Sequence, residues 1–482
     1  SPDRPDRPRL ELILAGFALL IPTLTILLTA SRAGVLGAML GLFVLAIAMP
    51  TRIRRRWLVV AALGLVALVM IAPPLRNRML SLATQSHSAV FRWYTWQGTA
   101  DMIAARPLTG FGPGSFEESY QRYAHTGFTR MAHQTPLQIA AEAGLPALLA
   151  ALLTLGLILR ELVRGLRRGG ERAFGAAVGL AALAALGFQN LADYTWYIPA
   201  VGLTLSAVVG RARAEALPDA DNAPRRPATL WLGLVACLLV IVVCAVGLRA
   251  QGLADRGRAA RPRGTGLSLW FWLGQATRLD PYDPAILEEL AQALAGQGTP
   301  DSTQASVRTR QRVAELCPFR AGNYLGLAWL YDAMGQREDA IASARDAVCA
   351  APNNPRGYAT LARLLIADGR DDEALEVYRE LEEVYRSPVG KYQAVEEAGD
   401  YAYSEAWVAL GREALESGEP ARAREYLRDA VEEAGEYARL QRAREKTLRL
   451  LGDWDERRAA EAERVEALAK LLLRDAGGQI EE

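Results

Sequence analysis

The chain holds three histidines, all between residues 87 and 133. The last of them, His133, closes the one long polar stretch, residues 74–135, that interrupts an otherwise membrane-like half. It stands in Ala132-His133-Gln134-Thr135-Pro136-Leu137-Gln138, directly before an apolar run. A neutral imidazole at a membrane surface is a ready general base. Thr135 with Gln138 has the spacing of a capping box, and Pro136 fits the first helical position, so a helix is predicted to begin just after His133. The partial positive charge at such a helix start disfavours imidazolium and predicts a histidine kept neutral near pH 7. The same residues also suit a plainer role, a histidine hydrogen-bonded locally that holds the loop to the helix.

Two arginines could supply positive charge to such a base. Arg32, in Leu28-Thr29-Ala30-Ser31-Arg32-Ala33-Gly34-Val35-Leu36, sits between two apolar runs. A charge there is costly unless it reaches the headgroups or meets an anion. Arg92, in Phe91-Arg92-Trp93-Tyr94-Thr95-Trp96-Gln97, is set among aromatics that suit a membrane interface and can also pack on sugar faces. A solvated arginine in an interfacial belt is the bland alternative. The segment Arg106-Pro107-Leu108-Thr109-Gly110-Phe111-Gly112-Pro113-Gly114-Ser115-Phe116 carries alternate glycines but has no preceding strand and no Lys-Ser/Thr after it. That argues for a rigid, strained turn and against a nucleotide site. Glu142 lies nine positions beyond His133 and is a candidate to orient a neighbour.

The elements that must hold these residues are helical. Formal net charge is +1, so overall charge points to no acidic partner or nucleic acid. The average hides two halves. Residues 10–250 are rich in Leu, Ala, Val and Gly, whereas 251–482 are dense in Arg, Glu, Ala and Leu. Candidate spans are Leu10–Thr29, Gly34–Met49, Trp57–Ala72, Leu145–Leu159, Ala173–Phe188, Ile198–Val209 and Leu230–Leu248, about seven crossings. Basic clusters follow alternate spans: Arg52, Arg54, Arg55 and Arg56; Arg160, Arg164, Arg167, Arg168 and Arg172; Arg211, Arg213, Arg225 and Arg226. Lys and Arg near span ends favour the cytoplasm, so loop 74–135 and the whole tail are expected outside it. The opening Ser-Pro-Asp-Arg-Pro-Asp-Arg-Pro is a polar loop rather than a signal peptide, and reads as a start partway through a longer protein. The four cysteines form no metal spacing and read as small buried hydrophobes, with a Cys317–Cys349 disulfide open in an oxidising compartment.

The tail repeats. Gly335, Ala340 and Ala347 return as Gly369, Ala374 and Leu381, a step of 34 residues, and Gly418, Ala423 and Ala430 keep the same internal spacing. That is the period of a tetratricopeptide repeat, and Pro281, Pro318 and Pro352 would end its second helices. A last Arg- and Glu-rich helix, about 453–474, is expected to cap the stack. The predicted fold is therefore all-α: a polytopic membrane domain over 1–250, then a tetratricopeptide solenoid over 251–482.

Together the motifs over roughly residues 10–210 resemble the O-antigen ligase superfamily, which also holds O-antigen polymerases and protein O-oligosaccharyltransferases. The resemblance rests on the Ser31-Arg32 turn with Leu36, Arg92 followed by Trp96, Arg106-Pro107-Leu108 through Gly110, Gly112 and Gly114, His133 with Gly144, and the turn from Asp193 to Pro199. It implies a membrane glycosyltransferase at the outer face of a bacterial inner membrane. Such an enzyme moves a glycan from an undecaprenyl-pyrophosphate carrier to a hydroxyl of a lipid, glycan or protein acceptor. It implies His133 as the catalytic base, Arg32 and Arg92 as pyrophosphate-binding residues, inversion at the anomeric carbon, and neither metal nor other cofactor. Gln134 stands where the family commonly has Asn and, with Glu142, is a candidate supporting residue. Members usually have about a dozen spans, so N-terminal ones would be lacking here. The repeats imply a protein partner. Two other readings use the same residues differently: a non-catalytic, membrane-anchored scaffold for cell-envelope assembly, and an anion transporter built around Arg32.

Overall fold

The computed structural model describes residues 25, 31–49, 56, 64, 87–125, 127, 129–191, 193–216, 227–260, 266–387, 402–451 and 456–477. Among them every regular element is helical. In chain order the helices are α1 (Arg32–Ala48), α2 (His87–Ala105), α3 (Phe116–Tyr120), α4 (Thr135–Arg168), α5 (Gly170–Asn190), α6 (Pro199–Ala216), α7 (Pro227–Ala260), α8 (Gly266–Leu279), α9 (Pro284–Ala295), α10 (Pro300–Leu316), α11 (Ala321–Ala333), α12 (Arg337–Ala350), α13 (Pro355–Ala367), α14 (Asp371–Arg386), α15 (Ala402–Glu416), α16 (Pro420–Leu451) and α17 (Glu456–Asp475). Short 3-10 turns cover Gln121–Tyr123 and Thr195–Tyr197. The chain divides into two compact units. One comprises residues 1–116 and 129–225, the other residues 117–128 and 226–482.

In the first unit, α1 packs antiparallel on α5: Gly37 lies against Ala185 and Gln189, and Gly41 against Ala181 and Ala185. Helices α4, α5 and α6 share a core of Leu162, Ala176, Leu183, Val209 and Ala212. Helix α4 runs from the His133 loop to a basic end, α5 returns, and α6 runs back to an ion pair between Arg213 and Glu161. The loop end and the arginine end are therefore opposite ends of the bundle. The 21 residues of α5 set them roughly 30 Å apart, the thickness of a hydrocarbon core. Past Gly144, α4 exposes Leu145, Leu149, Leu152, Leu153 and Leu157. A soluble helix would bury such a stripe, and a spanning one presents it to lipid.

Three described helical segments are long and apolar enough to cross a membrane: Thr135–Arg168, Ala173–Asn190 and Cys237–Ala259. The apolar stretch Ala33–Ala48 is shorter. The expected span Ile198–Val209 falls in α6, whose last turns carry Arg211, Arg213 and Glu215. Apart from Thr25 and Gly64, the expected spans 10–29 and 57–72 lie outside the described residues.

In the second unit, α7 exposes apolar side chains around its whole circumference from Trp231 to Leu248. Helix hairpins follow: α9–α10, α11–α12, α13–α14 and α15–α16. The recurring glycines close the first helix of three hairpins with φ of 73°, 78° and 74° at Gly335, Gly369 and Gly418. The recurring small residues Ala340, Ala347, Ala374, Ala423 and Ala430 are buried where the paired helices touch. The main core gathers Tyr358, Leu361, Leu365, Tyr378, Leu381 and Trp407. Trp407 stacks on Tyr426 with ring centres 5.8 Å apart and meets the edge of Tyr385 at 5.1 Å. The last helix, α17, packs on α16 and α15, as expected of a cap.

Residues 117–128, numbered within the polar loop, belong to this repeat unit. Arg320 is held between Glu118 (3.3 Å) and Glu288 (3.1 Å). The Arg122 guanidinium lies 5.7 Å from the Phe319 ring centre, and the Asn353 side chain donates to the Ala124 carbonyl. Phe319 and Asn353 stand at equivalent places in successive repeats. The segment thus reads two inter-repeat turns in a row. The cysteines correct the sequence expectation. All four are free, Cys237, Cys244 and Cys349 are exposed, and Cys317 is half-buried. Exposure of the first two follows from their place on an apolar helix facing outward, where a buried core was expected.

Candidate functional site

Of the predicted site residues, Arg92, His133, Gln134 and Glu142 lie at the loop end of the bundle, and the backbone of Arg32 lies toward the same end. On α2, Arg92 and Trp96 are one turn apart. Trp96 Nε1 donates to the Ala132 carbonyl at 3.0 Å, so α2 is bolted to the residue before His133. The Ala132 N–H donates to Gln138 Oε1 at 2.7 Å, which ties the same residue to α4. Ala132 is 0% exposed and clamped from both sides. His133 then follows with φ of 51°, and no other non-glycine residue among those described has a positive φ. A left-handed conformation at a side-chain-bearing residue costs about 1–3 kcal/mol and persists only where the surroundings impose it.

The half-buried imidazole is framed by aromatic edges, Tyr194 at 5.4 Å and Phe91 at 6.4 Å between ring centres. Burial pushes its pKa down, the nearby Arg92 guanidinium pushes it further down, and Asp193 pulls the other way. The neutral imidazole expected from the sequence is thus favoured, with burial rather than the helix start as the leading cause. His133 and Arg92 are brought together closely enough for one charge to act on the other. Arg32 opens α1, capped by Ser31, whose hydroxyl accepts from Gly34 N at 3.1 Å. The antiparallel register of α1 on α5 places Arg32's backbone toward the Asn190 end, the end that holds the His133 loop. Its side chain lies outside the described residues.

The capping box does not form. Gln134 is the residue before α4, half-buried, and makes no side-chain cap bond. The Thr135 hydroxyl donates to Asn190 Oδ1 at 2.8 Å, and Gln138 is occupied by Ala132. Both side chains serve tertiary contacts, which outbid the local motif. Asn190, buried at the end of α5, also donates to Thr195 Oγ1 (2.9 Å) and accepts from Trp196 N (3.1 Å), and so fixes the turn that carries Asp193 and Tyr194. Sequence reasoning missed Asn190. The available signal was the amide pair Gln189-Asn190 ending an apolar helix. It also missed Tyr197, whose hydroxyl donates to Glu142 Oε2 at 3.4 Å. Glu142 itself is buried, and Gln138 Nε2 donates to its Oε1 at 2.8 Å.

The glycine turn braces α4 where that helix breaks. Gly144 has φ of 83°, and the helix restarts at Leu145-Pro146. Phe111 N donates to Ala141 O (3.0 Å), Gly112 N to Glu142 O (2.8 Å) and Leu145 N to Pro107 O (2.8 Å). These bonds satisfy carbonyls and an amide that the break exposes. The Arg106 guanidinium covers the Phe111 ring at 4.7 Å. The alternate glycines are therefore used by the backbone packing of a rigid turn. No group of three or more His, Cys, Asp or Glu among the described residues could hold a metal ion.

The arrangement offers an imidazole whose neutral form burial favours, a guanidinium near enough to act on it, and aromatic walls at one end of an apolar bundle. Residues 17–152 match the family model described as O-antigen ligase. Residues 333–399 and 404–437 match two tetratricopeptide repeat models. No curated protein matches the chain. Among solved structures the chain is similar to MamA protein, with 16% identity over 39% of this chain and 94% of that one and a TM-score of 0.30. It is similar to MamA from Desulfovibrio magneticus RS-1, with 18% identity over 38% and 93% and a TM-score of 0.29. It is also similar to YrrB, described as a TPR protein with an unusual peptide-binding site, with 15% identity over 42% and 97% and a TM-score of 0.27. The chain thus joins a region similar to the O-antigen ligase family to a region similar to tetratricopeptide repeats.

Proposed function

We propose that the protein is a membrane glycosyltransferase of the O-antigen ligase type. It transfers a glycan from an undecaprenyl-pyrophosphate carrier to a hydroxyl of a lipid, glycan or protein acceptor. His133 takes the acceptor's proton as its oxygen attacks the anomeric carbon. The carbon–oxygen bond to the pyrophosphate breaks, and Arg92 and Arg32 stabilise the charge that develops on the departing group. A single displacement inverts the anomeric centre, and the guanidinium groups supply the positive charge that a metal would otherwise bring. Gln134 contributes by position, as the residue between the base and α4.

The observation that carries this reading is the conformation of His133. An imidazole held at φ of 51°, half-buried and beside Arg92, is strained, and strain of this kind gathers at functional sites. Arg160, Arg164, Arg167 and Arg168 lie at the other end of the bundle, roughly a bilayer thickness away. Basic residues stay in the cytoplasm, so the site opens on the outer face of the inner membrane, and the repeats lie outside the cytoplasm to recruit a protein partner.

The test is transfer from carrier-linked glycan in membranes. His133→Ala should abolish it, and retained turnover would leave the scaffold reading in its place. Arg92→Lys should weaken it, since an ammonium lacks the planar fork that clasps two phosphate oxygens. The base must be neutral, so activity rises with pH through the His133 pKa. Arg92 holds that pKa down, so in Arg92→Gln the residual activity should rise only at higher pH than in the parent.

A further inference from the structure

The base reading leaves a buried carboxylate unexplained. Glu142 is 5% exposed and Gln138 is 0% exposed, both on the first turns of α4. They form a chain of hydrogen bonds that ends next to His133. Tyr197 Oη donates to Glu142 Oε2 (3.4 Å), Gln138 Nε2 donates to Glu142 Oε1 (2.8 Å), and Ala132 N donates to Gln138 Oε1 (2.7 Å). A primary amide has a donor end and an acceptor end and can present either one. Both oxygens of Glu142 accept, and the Ala132 N–H only donates, so these two partners together fix the Gln138 amide with Nε2 toward Glu142 and Oε1 toward Ala132. Burial and the Glu142 carboxylate both raise the Tyr197 pKa, so the phenol remains a donor and holds the second carboxylate oxygen.

The far end of this chain is fixed independently. Trp96 Nε1 holds the Ala132 carbonyl at 3.0 Å. With both polar groups of Ala132 committed, the next residue has little freedom, and His133 takes φ of 51°. We propose that Glu142, acting through the orientation of the Gln138 amide, is the positioning residue that imposes the backbone conformation from which His133 presents its imidazole. This rests on the base reading above. Glu142 does not touch the reacting atoms. Its effect is geometric, and a base displaced by a fraction of an ångström loses rate without losing substrate affinity.

The experiment is a double-mutant cycle in the full chain in native membranes, with kcat and donor KM measured for transfer from carrier-linked glycan. Glu142→Gln keeps the size but leaves one acceptor oxygen for two donors, Gln138 Nε2 and the Tyr197 hydroxyl, so the hold on the Gln138 amide is weakened. Gln138→Met keeps the volume and removes the acceptor for Ala132 N. Each should lower kcat on the order of tenfold with donor KM unchanged. The double variant should be no slower than Gln138→Met alone, because the carboxylate acts only through the amide. Wild-type kcat in Glu142→Gln, losses that multiply in the double variant, or a rise in donor KM equal to the fall in kcat each overturns the proposal. Should Gln138→Met fail to fold, the kcat and KM of Glu142→Gln decide alone. An inactive His133→Ala beside a fully active Glu142→Gln sinks the positioning role and spares the base. An active His133→Ala sinks the base reading itself.

Discussion

Two glycines, one in each unit, show how differently the two halves are specified. Gly369 turns between α13 and α14 with φ of 78°, and a Cβ built there would meet nothing within 4 Å. Its requirement is purely local, a backbone angle that closes a hairpin. Gly144 has a similar φ of 83°, but its Cβ would stand 2.3 Å from the Leu108 carbonyl oxygen, and a Cβ on Gly110 would stand 2.4 Å from the Glu142 carbonyl. There the backbone of one segment presses on the backbone of another some thirty-five positions away. In the helix hairpins such a glycine answers to its neighbours in sequence. At the site in the membrane unit it answers to a partner that only the folded chain supplies.

That contrast predicts unequal penalties for the same change. Gly144→Ala combines a strained φ with a clash against backbone that cannot swing aside. It should separate the 106–112 turn from α4, shift the Gln138–Glu142 turn, and cut glycan transfer on the order of a hundredfold in membranes with normal protein levels. The next effect in size lies in the repeats. Trp407→Ala removes the largest fully buried side chain of the main core and should cost about 3–5 kcal/mol, read as a lower midpoint of repeat unfolding in the detergent-solubilised full chain. Gly369→Ala should cost only about 1 kcal/mol on the same measurement and leave transfer unaltered. If Gly144→Ala proved as mild as Gly369→Ala, the distinction between the two units would be lost. If Gly369→Ala damaged transfer, the turn would have to answer to something beyond its own hairpin.

The same distinction governs what could be read from the sequence. The helix hairpins were legible because Gly335 and Gly369, Ala340 and Ala374, and Ala347 and Leu381 repeat at one step, and each pair does the same local task. The break at Gly144 and the rigid turn at 106–115 were half legible, since Gly and Pro announce a turn but not what it packs against. The capping box at Thr135 and Gln138 was misread for a clear reason. Its two side chains had better partners, Asn190 at 55 residues' distance and the Ala132 N–H just upstream. The His133 neighbourhood was legible as a set of residue types, but the order of hydrogen bonds around it was not. Nor did any periodicity announce that Glu118, Arg122 and Ala124 would find partners at Glu288, Phe319, Arg320 and Asn353.

That last pairing has a consequence for biogenesis. Residues 117–128 leave the ribosome about 200 residues before Arg320 and Asn353, which at ordinary translation rates is on the order of 10–40 seconds. Throughout that interval Glu118 and Arg122 have no counterpart to grip. The stretch must wait, unfinished, until α9 to α13 have been made and stacked. Assembly of the polar loop is therefore scheduled by the last part of the chain to be synthesised, and a polypeptide stopped short of its repeats would leave that loop permanently incomplete.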